Sequence, residues 1–211
     1  MFEAEKKDAA LQALKFIQPD CILGVGTGST VHFFIEALLP YKSKIAAIVS
    51  SSKDTTKKLK ALGFHVSDLN EVGSVLDLYV DGADEINPQK EMIKGAGGAL
   101  TQEKILMEAA RKVVCIVDPS KCVSVLGKVP VPIEIIPSAR GLIARKIIGL
   151  GGTPKLRENF ITDNGNLILD VDHLDLTDPR GLESTLSSVP GIITAGIFAQ
   201  RTADEICKGG R

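Results

Sequence analysis

The sequence predicts an α/β protein with two lobes of different architecture. Short apolar runs alternate with segments of helical periodicity through residues 5–117, an order typical of a parallel sheet covered by helices on both faces. A proline-rich stretch at 130–137 ends this alternation. After it the predicted elements follow the order β-α-β-β-α-β, which favours a separate α+β lobe.

The first part of the chain supplies the predicted parallel sheet. Residues 5–18 form a helix in which Ala10, Leu14 and Ile17 share one face, because they lie three or four positions apart. The predicted strands are the apolar runs at 21–25, 45–49, 76–80 and 113–117. The predicted helices are 29–39, the segment that follows the serines at 50–52 and ends near 62, and 101–111. These elements predict a Rossmann-like lobe.

The later part of the chain predicts a smaller α+β lobe. Its predicted strands are 131–135, 154–162, 167–171 and 192–194, and its helices are 139–150 and 182–188. The middle two strands are joined through Asp163-Asn164-Gly165-Asn166, and Asn-Gly is a strong hairpin signal because both residues accept positive φ. This order is ferredoxin-like. We therefore predict a Rossmann-like catalytic lobe at 1–128, with 201–211 returning to it, and a ferredoxin-like lobe at 129–200.

The composition argues against several classes of protein. Hydrophobic residues make up 44% of the chain, so a sizeable core can form, whereas a net charge of -1 gives no support for nucleic acid or an anionic membrane as a partner. The first residues are polar, unlike a signal peptide, and no apolar run approaches the roughly 18 residues of a membrane span. The four scattered cysteines are expected to be free thiols, and the three distant histidines do not predict a metal site. We expect a cytoplasmic protein.

A glycine-rich loop after the first strand predicts a phosphate site. It spans Gly24-Val25-Gly26-Thr27-Gly28-Ser29-Thr30 and leads into a helix, whose free N–H groups suit an anion. A dinucleotide fingerprint would need glycine at Ser29, and a Walker loop would need lysine at Gly28. A monophosphate therefore remains as the ligand, with a plain tight turn as the alternative. Further phosphate donors, or equally the cap of the next helix, are Ser50, Ser51, Ser52 and Thr55.

Acids follow the strand at 76–80. Asp81 and Asp84 come directly after this strand, and the carboxyl ends of strands in an open α/β sheet are where ligands bind. Lys121 follows another strand and is expected at the same edge of the sheet. A solvated turn is the structural alternative for the two acids.

A lysine and a glutamate flank a glycine run. Lys94 precedes Gly95-Ala96-Gly97-Gly98, a flexible segment that suits close backbone approach to another group. Glu103 falls in the first turn of the helix at 101–111. The alternative to a catalytic role is that its carboxylate stabilises the positive end of the helix dipole. Its neighbour Lys104 is expected at the surface.

These motifs occur together, in order and at matching separations, in a known family. They are Gly-Val-Gly-Thr-Gly-Ser-Thr, Ser-Ser-Ser, Asp-Gly-Ala-Asp-Glu, Lys-Gly-Ala-Gly-Gly-Ala-Leu-Thr-x-Glu-Lys, Asp-x-Ser-Lys, Thr-Asp-Asn-Gly-Asn and Pro-Gly-Ile-Ile-Thr-Ala-Gly-Ile-Phe. The chain resembles the type A ribose-5-phosphate isomerases, and the resemblance covers nearly all of it.

The resemblance implies an aldose–ketose isomerase of the non-oxidative pentose phosphate pathway, acting on ribose 5-phosphate and ribulose 5-phosphate without metal or cofactor. It implies that Glu103 is the general base, which moves a proton between carbon 1 and carbon 2 through a cis-enediolate, while Lys94 stabilises the enediolate oxygen. Asp81 and Asp84 would handle ring opening and the hydroxyl protons. A homodimer is the expected assembly. The residues implied in binding the substrate and its phosphate are Thr27, Gly28, Ser29, Thr30, Gly82, Ala83, Gly95, Ala96, Gly97, Lys121, and Lys6 or Lys7.

Two features depart from the family pattern. The chain ends at Lys208-Gly209-Gly210-Arg211, where family members usually continue through a last strand and tail. The sequence therefore does not determine which strand closes the edge of the first lobe. Ala96 also stands where glycine is common. Two other functions compete: a sugar-phosphate sensor would carry a DNA-binding helix-turn-helix, for which the 20 residues before the first strand leave little room, and a coenzyme A transferase would be longer.

Overall fold

The structure, a computed structural model, describes residues 2–210 and confirms the predicted α/β class. In chain order, its strands are β1 Cys21–Val25, β2 Ile45–Ser50, β3 Leu78–Asp81, β4 Glu85–Ile86, β5 Met92–Ile93, β6 Val113–Val117, β7 Val131–Ile135, β8 Thr153–Leu156, β9 Leu167–Asp172, β10 Ile192–Ala195, β11 Ile197–Phe198 and β12 Glu205–Lys208. Its α-helices are α1 Glu3–Ala13, α2 Ser29–Ala37, α3 Lys53–Ala61, α4 Leu100–Ala109, α5 Arg140–Gly149 and α6 Pro179–Ser187.

The described chain forms two compact units. The first comprises the described parts of Met1–Ala83, Ile105–Cys122 and Ala203–Arg211. The second comprises Asp84–Lys104 and Val123–Thr202. The predicted division at residue 128 differs from this grouping, because it places residues 84–104 in the first lobe.

A parallel five-stranded sheet lies in the first unit, in the order β12-β6-β3-β1-β2. β3 and β6 are buried along their whole length, which explains why their sequences are nearly continuous apolar runs. The strand order reverses at β1, which pairs with β2 on one side and with β3 on the other. Ligands bind open α/β sheets at such a switch point, outside the carboxyl ends of the strands. β12 pairs with β6 and forms the closing edge that the sequence left open.

The second unit carries an antiparallel sheet in the order β10-β7-β9-β8. The chain runs through β7, α5, β8, β9, α6 and β10, which is the predicted ferredoxin-like order. The apolar faces of β7 and of the two helices form its core. Fully buried residues of this core include Ile133, Ile135, Ile143, Ile147 and Leu186.

A small three-stranded sheet explains why residues 84–104 belong to the second unit. β5 pairs antiparallel with β4 on one side and with β11 on the other. The Lys94 N–H then donates to Gly196 O at 3.0 Å, and the Gly196 N–H donates to Pro132 O at 2.7 Å. The segment that carries Lys94 is thus bonded by its backbone to β11 and, through Gly196, to β7. The sequence did not predict β4, β5 or β11.

The cysteines are free thiols, as predicted, and Cys21, Cys115 and Cys207 are buried. Burial raises the pKa of the Cys21 thiol to about 11. Cys122 is partly exposed. Among the helices of residues 2–210, none combines the length and the apolar character needed to cross a membrane.

Candidate active site

Asp81 holds the glycine-rich loop in the first unit. Its carboxylate is buried at the end of β3 and accepts hydrogen bonds from Thr27 N at 3.0 Å, Gly82 N at 2.7 Å and the Tyr79 hydroxyl at 2.5 Å. A Cβ on Gly26 would lie 2.0 Å from Asp81 Oδ1, so only glycine lets the loop approach this closely. The predicted loop and the first predicted acid therefore lie together at the switch point of the sheet.

Hydroxyl groups after β2 support the same loop. Thr27 Oγ1 lies 2.5 Å from Ser52 Oγ and 2.9 Å from Thr55 Oγ1, and the Thr55 hydroxyl donates to Gly26 O at 2.8 Å. Ser52 Oγ also accepts from Thr55 N at 3.1 Å and so caps α3. The capping alternative is therefore confirmed for Ser52, and the same cluster positions Thr27.

The two lysines predicted for the first unit occupy different positions. Lys6 on α1 donates its ammonium to Ser29 Oγ at 2.9 Å, which places a cation at the N-terminus of α2. Gly28 precedes this helix with φ 118°, and Thr30 is buried in its first turn. Lys121 ends a short 3-10 helix, Pro119–Lys121, that follows β6. Since β6 runs parallel to β3, Lys121 lies at the same edge of the sheet as Asp81.

The glycine run in the second unit is held by its backbone. Ala96 N donates to Asp84 Oδ2 at 2.9 Å, and Arg157 donates to Ala96 O at 3.0 Å. Arg157 is itself fixed by two hydrogen bonds to the Asp170 carboxylate. Ala96 and Gly97 are exposed, whereas Gly95 is buried with φ 107°. The run therefore presents its backbone at the surface of the unit in a fixed conformation.

Lys94 and Glu103 form a buried pair in the second unit. Lys94 Nζ lies 3.5 Å from Glu103 Oε2, and each side chain is only 4% exposed. Lys94 also lies over the Phe198 ring, with its ammonium 5.7 Å from the ring centroid. A carboxylate that is removed from water beside a cation can accept a proton next to a group that stabilises negative charge.

Lys104, which was expected at the surface, is only partly exposed, with 28% of its side chain accessible. Its ammonium donates to Glu183 Oε1 at 2.5 Å and to Ile197 O at 2.6 Å, and it lies 4.5 Å from the centroid of the Phe198 ring. Burial lowers the pKa of Lys104, and the neighbouring Glu183 carboxylate opposes that shift. Phe198 thus contacts both Lys94 and Lys104.

Gly196 gives a testable link between packing and the position of Lys94. A Cβ at this residue would lie 2.3 Å from Lys94 O and 2.8 Å from Pro132 O, both backbone atoms that cannot rotate away. We expect Gly196→Ala to lower the free energy of unfolding by about 1–3 kcal/mol and to reduce turnover, measured by denaturant titration and steady-state kinetics. Gly149→Ala is the matched control, because nothing lies within 4 Å of its Cβ. Equal stability of both variants would contradict the expected clash.

Several residues that shape these clusters were missed by the sequence analysis. They are Arg157, Glu183, Phe198 and Glu134, whose carboxylate accepts a hydrogen bond from the Thr101 hydroxyl on α4. Glu134 had a usable signal, since it is a single acid within an otherwise apolar strand. Arg157 and its partner Asp170 lie on the two predicted strands of the Asn-Gly hairpin, whereas Glu183 had no signal because its partner Lys104 is 79 residues away. Within residues 2–210, no group of three or more His, Cys, Asp or Glu side chains is arranged to hold a metal ion.

The fold and these clusters define a class of protein. The first unit has a glycine-rich loop that leads into a helix at the switch point of a parallel sheet, and the second has a buried lysine–glutamate pair beside a glycine run. These are the features of an isomerase that acts on a phosphorylated sugar.

Comparisons with known proteins give the particular family. The family model for ribose 5-phosphate isomerase A (phosphoriboisomerase A) matches residues 47–211, and the chain belongs to this family. It is 57% identical to ribose-5-phosphate isomerase A of Francisella tularensis subsp. tularensis over 95% of this chain and 89% of the relative.

Solved structures agree with this assignment. Ribose 5-phosphate isomerase A of Neisseria gonorrhoeae matches with a TM-score of 0.95 and 45% identity, covering 98% of this chain and 92% of that one. The enzyme of Methanocaldococcus jannaschii matches with a TM-score of 0.94 and 32% identity, covering 100% and 96%. The chain is therefore an aldose–ketose isomerase that interconverts ribose 5-phosphate and ribulose 5-phosphate, and nothing in the comparisons supports the sensor alternative.

Proposed function

We propose that the reaction transfers one proton between carbon 2 and carbon 1 of the open-chain sugar, with Glu103 as the base. In the conversion of the aldose to the ketose, the Glu103 carboxylate takes the proton from carbon 2, and the electron pair of the C–H bond forms the double bond of a cis-enediolate. The same carboxyl group then returns the proton to carbon 1, while the proton of the carbon 2 hydroxyl moves to the carbon 1 oxygen, which leaves a hydroxyl at carbon 1 and the carbonyl at carbon 2. The observation that carries this proposal is the 3.5 Å separation of Lys94 Nζ and Glu103 Oε2 in a buried setting.

Lys94 stabilises the charge that develops on the substrate oxygen. The oxygen becomes negative as the enediolate forms, and an ammonium group held in place within a desolvated environment stabilises that charge more strongly than water does. The backbone bond to Gly196 and the contact with Phe198 hold Lys94 in its position. Because both groups are fixed before substrate binds, little reorganisation accompanies the reaction.

The remaining second-unit residues serve the hydroxyl groups of the sugar. Asp84 is partly exposed and takes part in ring opening and in moving hydroxyl protons. Its orientation is supported by the Ala96 N–H. Gly95, Ala96 and Gly97 contact the sugar through their backbone, as the exposure of the last two permits.

The first-unit residues bind phosphate and sugar oxygens. The loop of Thr27, Gly28, Ser29 and Thr30 at the N-terminus of α2 takes the phosphate, with Lys6 as its cation. Gly82, Ala83 and Lys121 contact the sugar, and Asp81 combines its part in proton handling with support of the loop. A related ribose-5-phosphate isomerase, 38% identical with a TM-score of 0.89, was solved in complex with phospho-erythronic acid, a phosphorylated ligand.

The working assembly is a homodimer in the cytoplasm.

Conversion of ribose 5-phosphate by the purified protein tests this proposal. We expect turnover to ribulose 5-phosphate in excess EDTA, with solvent hydrogen appearing at the reacting carbons. Saturable binding of ribose 5-phosphate without turnover would contradict the proposal. Light scattering at the assay concentration tests the homodimer.

A further inference from the structure

Glu134 is a buried carboxylate outside the residues assigned to the reaction. It lies in the middle of the second unit's sheet on β7, and it is 0% exposed. Its neighbours on this strand, Ile133 and Ile135, are buried apolar residues. Burial of a carboxylate is costly, and an apolar residue of similar size is often equally or more stabilising at such a position.

The hydrogen bonds of Glu134 join two separate segments. Oε1 accepts from Thr162 Oγ1 at 2.8 Å, Asn166 Nδ2 at 2.9 Å and Asn164 Nδ2 at 3.1 Å, all in the predicted Asn-Gly turn region. Oε2 accepts from the hydroxyl of Thr101 on α4. The carboxylate therefore connects the turn at 162–166 to the first turn of the helix that carries Glu103.

Side chains on both sides of Glu103 form hydrogen bonds to other segments of the second unit. Thr101 contacts Glu134, Gln102 donates to Asn164 Oδ1 at 2.9 Å, and Lys104 contacts Glu183. The Glu103 N–H donates to Ala99 O at 2.9 Å, so Glu103 lies within the same helical turn. The direction of the Glu103 side chain is thus determined by how this turn is attached.

We propose that Glu134 is a positioning residue for the isomerisation: through its hydrogen bond to Thr101, it fixes the first turn of α4 and thereby the orientation of the Glu103 carboxylate. This inference rests on the proposed role of Glu103 as the base. A misplacement of about 1 Å at a reacting group can cost about 100-fold in rate, which makes such a bond important for turnover.

Two valine substitutions separate positioning from stability. Thr101→Val and Thr162→Val each remove one hydroxyl donor from the same buried carboxylate, but only Thr101 lies on α4. We expect Thr101→Val to lower kcat by about 10- to 100-fold with KM changed less than twofold. We expect Thr162→Val to leave kcat within twofold. Thermal unfolding is expected to show that both valine variants are destabilised. Thr101→Ser restores the hydroxyl and should recover most of the lost turnover.

Each outcome has a defined meaning. Unchanged kcat in Thr101→Val, equal losses in the two valine variants, or no recovery in Thr101→Ser would overturn the positioning role. Glu103→Gln is measured in parallel. If Glu103→Gln keeps near-normal turnover, the proposed base is wrong, whatever the Thr101 variants show. Failure of the proposed base is therefore distinguishable from failure of the positioning role.

Discussion

Replacing Glu103 by glutamine is expected to lower kcat by about 10²–10⁴-fold, because a neutral amide cannot accept the carbon-bound proton. Glutamine has nearly the same size and shape, so the first turn of α4 should keep its structure. Substrate binding should be largely retained, since the lost interaction belongs to the transition state, and KM should change little. Steady-state kinetics and exchange of the substrate's carbon-bound hydrogen with solvent measure the two effects separately.

A matched variant on the same helix controls for indirect effects. Glu108→Gln removes an exposed carboxylate from α4, five residues beyond Glu103. It should leave kcat and hydrogen exchange close to those of the wild type. Near-normal turnover in Glu103→Gln would rule out Glu103 as the base. A loss of turnover with hydrogen exchange intact would instead assign Glu103 to a step after proton abstraction.

The parts of the fold that the sequence predicted well are those with a long local signal. The predicted bounds of β1, β6 and β7 agree with the structure, because each is a run of five residues that is apolar apart from Gly24 in β1 and Glu134 in β7. β4, β5 and β11 have two residues each, too few to show any periodicity, and only pairing with one another defines them.

Helix and strand ends were less predictable. α6 begins at Pro179, three residues before its predicted start at 182, because Asp178 caps it by accepting a hydrogen bond from Gly181 N. β8 ends at Leu156, whereas the predicted strand continued to 162. Beyond it, side-chain bonds join Arg157 to Asp170 and Thr162 to Glu134. They act together with backbone bonds from Arg157 N to Ile168 O and from Thr162 N to Asn166 O, without a regular strand between these points.

The candidate site was predictable where sequence motifs coincide with strand ends. Asp81 was expected at the carboxyl end of its strand, where ligands bind an open sheet, and the structure joins it directly to Thr27 of the glycine-rich loop. The attachments of α4 were not predictable. Glu134 and Glu183 contact residues 33 and 79 positions away, and one sequence holds no signal for such pairs. The partial burial of Lys104 was not predictable for the same reason, since its partner Glu183 lies on α6.

Replacing Lys94 by methionine is expected to lower both activity and stability. Turnover should fall by about 10²–10³-fold, because the developing oxyanion loses its fixed cation. The free energy of unfolding should fall by about 3–5 kcal/mol, because the Glu103 carboxylate remains buried without the ammonium 3.5 Å away. Methionine fills a similar volume beside Phe198, so a packing defect contributes little. Steady-state kinetics and denaturant titration measure the two losses.

The double variant Lys94→Met with Glu103→Gln distinguishes a lost charge partner from general damage. With no charge left at either position, its stability should return to within about 1 kcal/mol of the wild type, while turnover stays as low as in Glu103→Gln alone. Additive destabilisation would show that the two side chains are not energetically coupled, and Lys94 would then lose its role as partner of the base. Recovery of stability without recovery of turnover would instead show that the charge pair is retained for catalysis rather than for folding, since the uncharged pair would fold equally well.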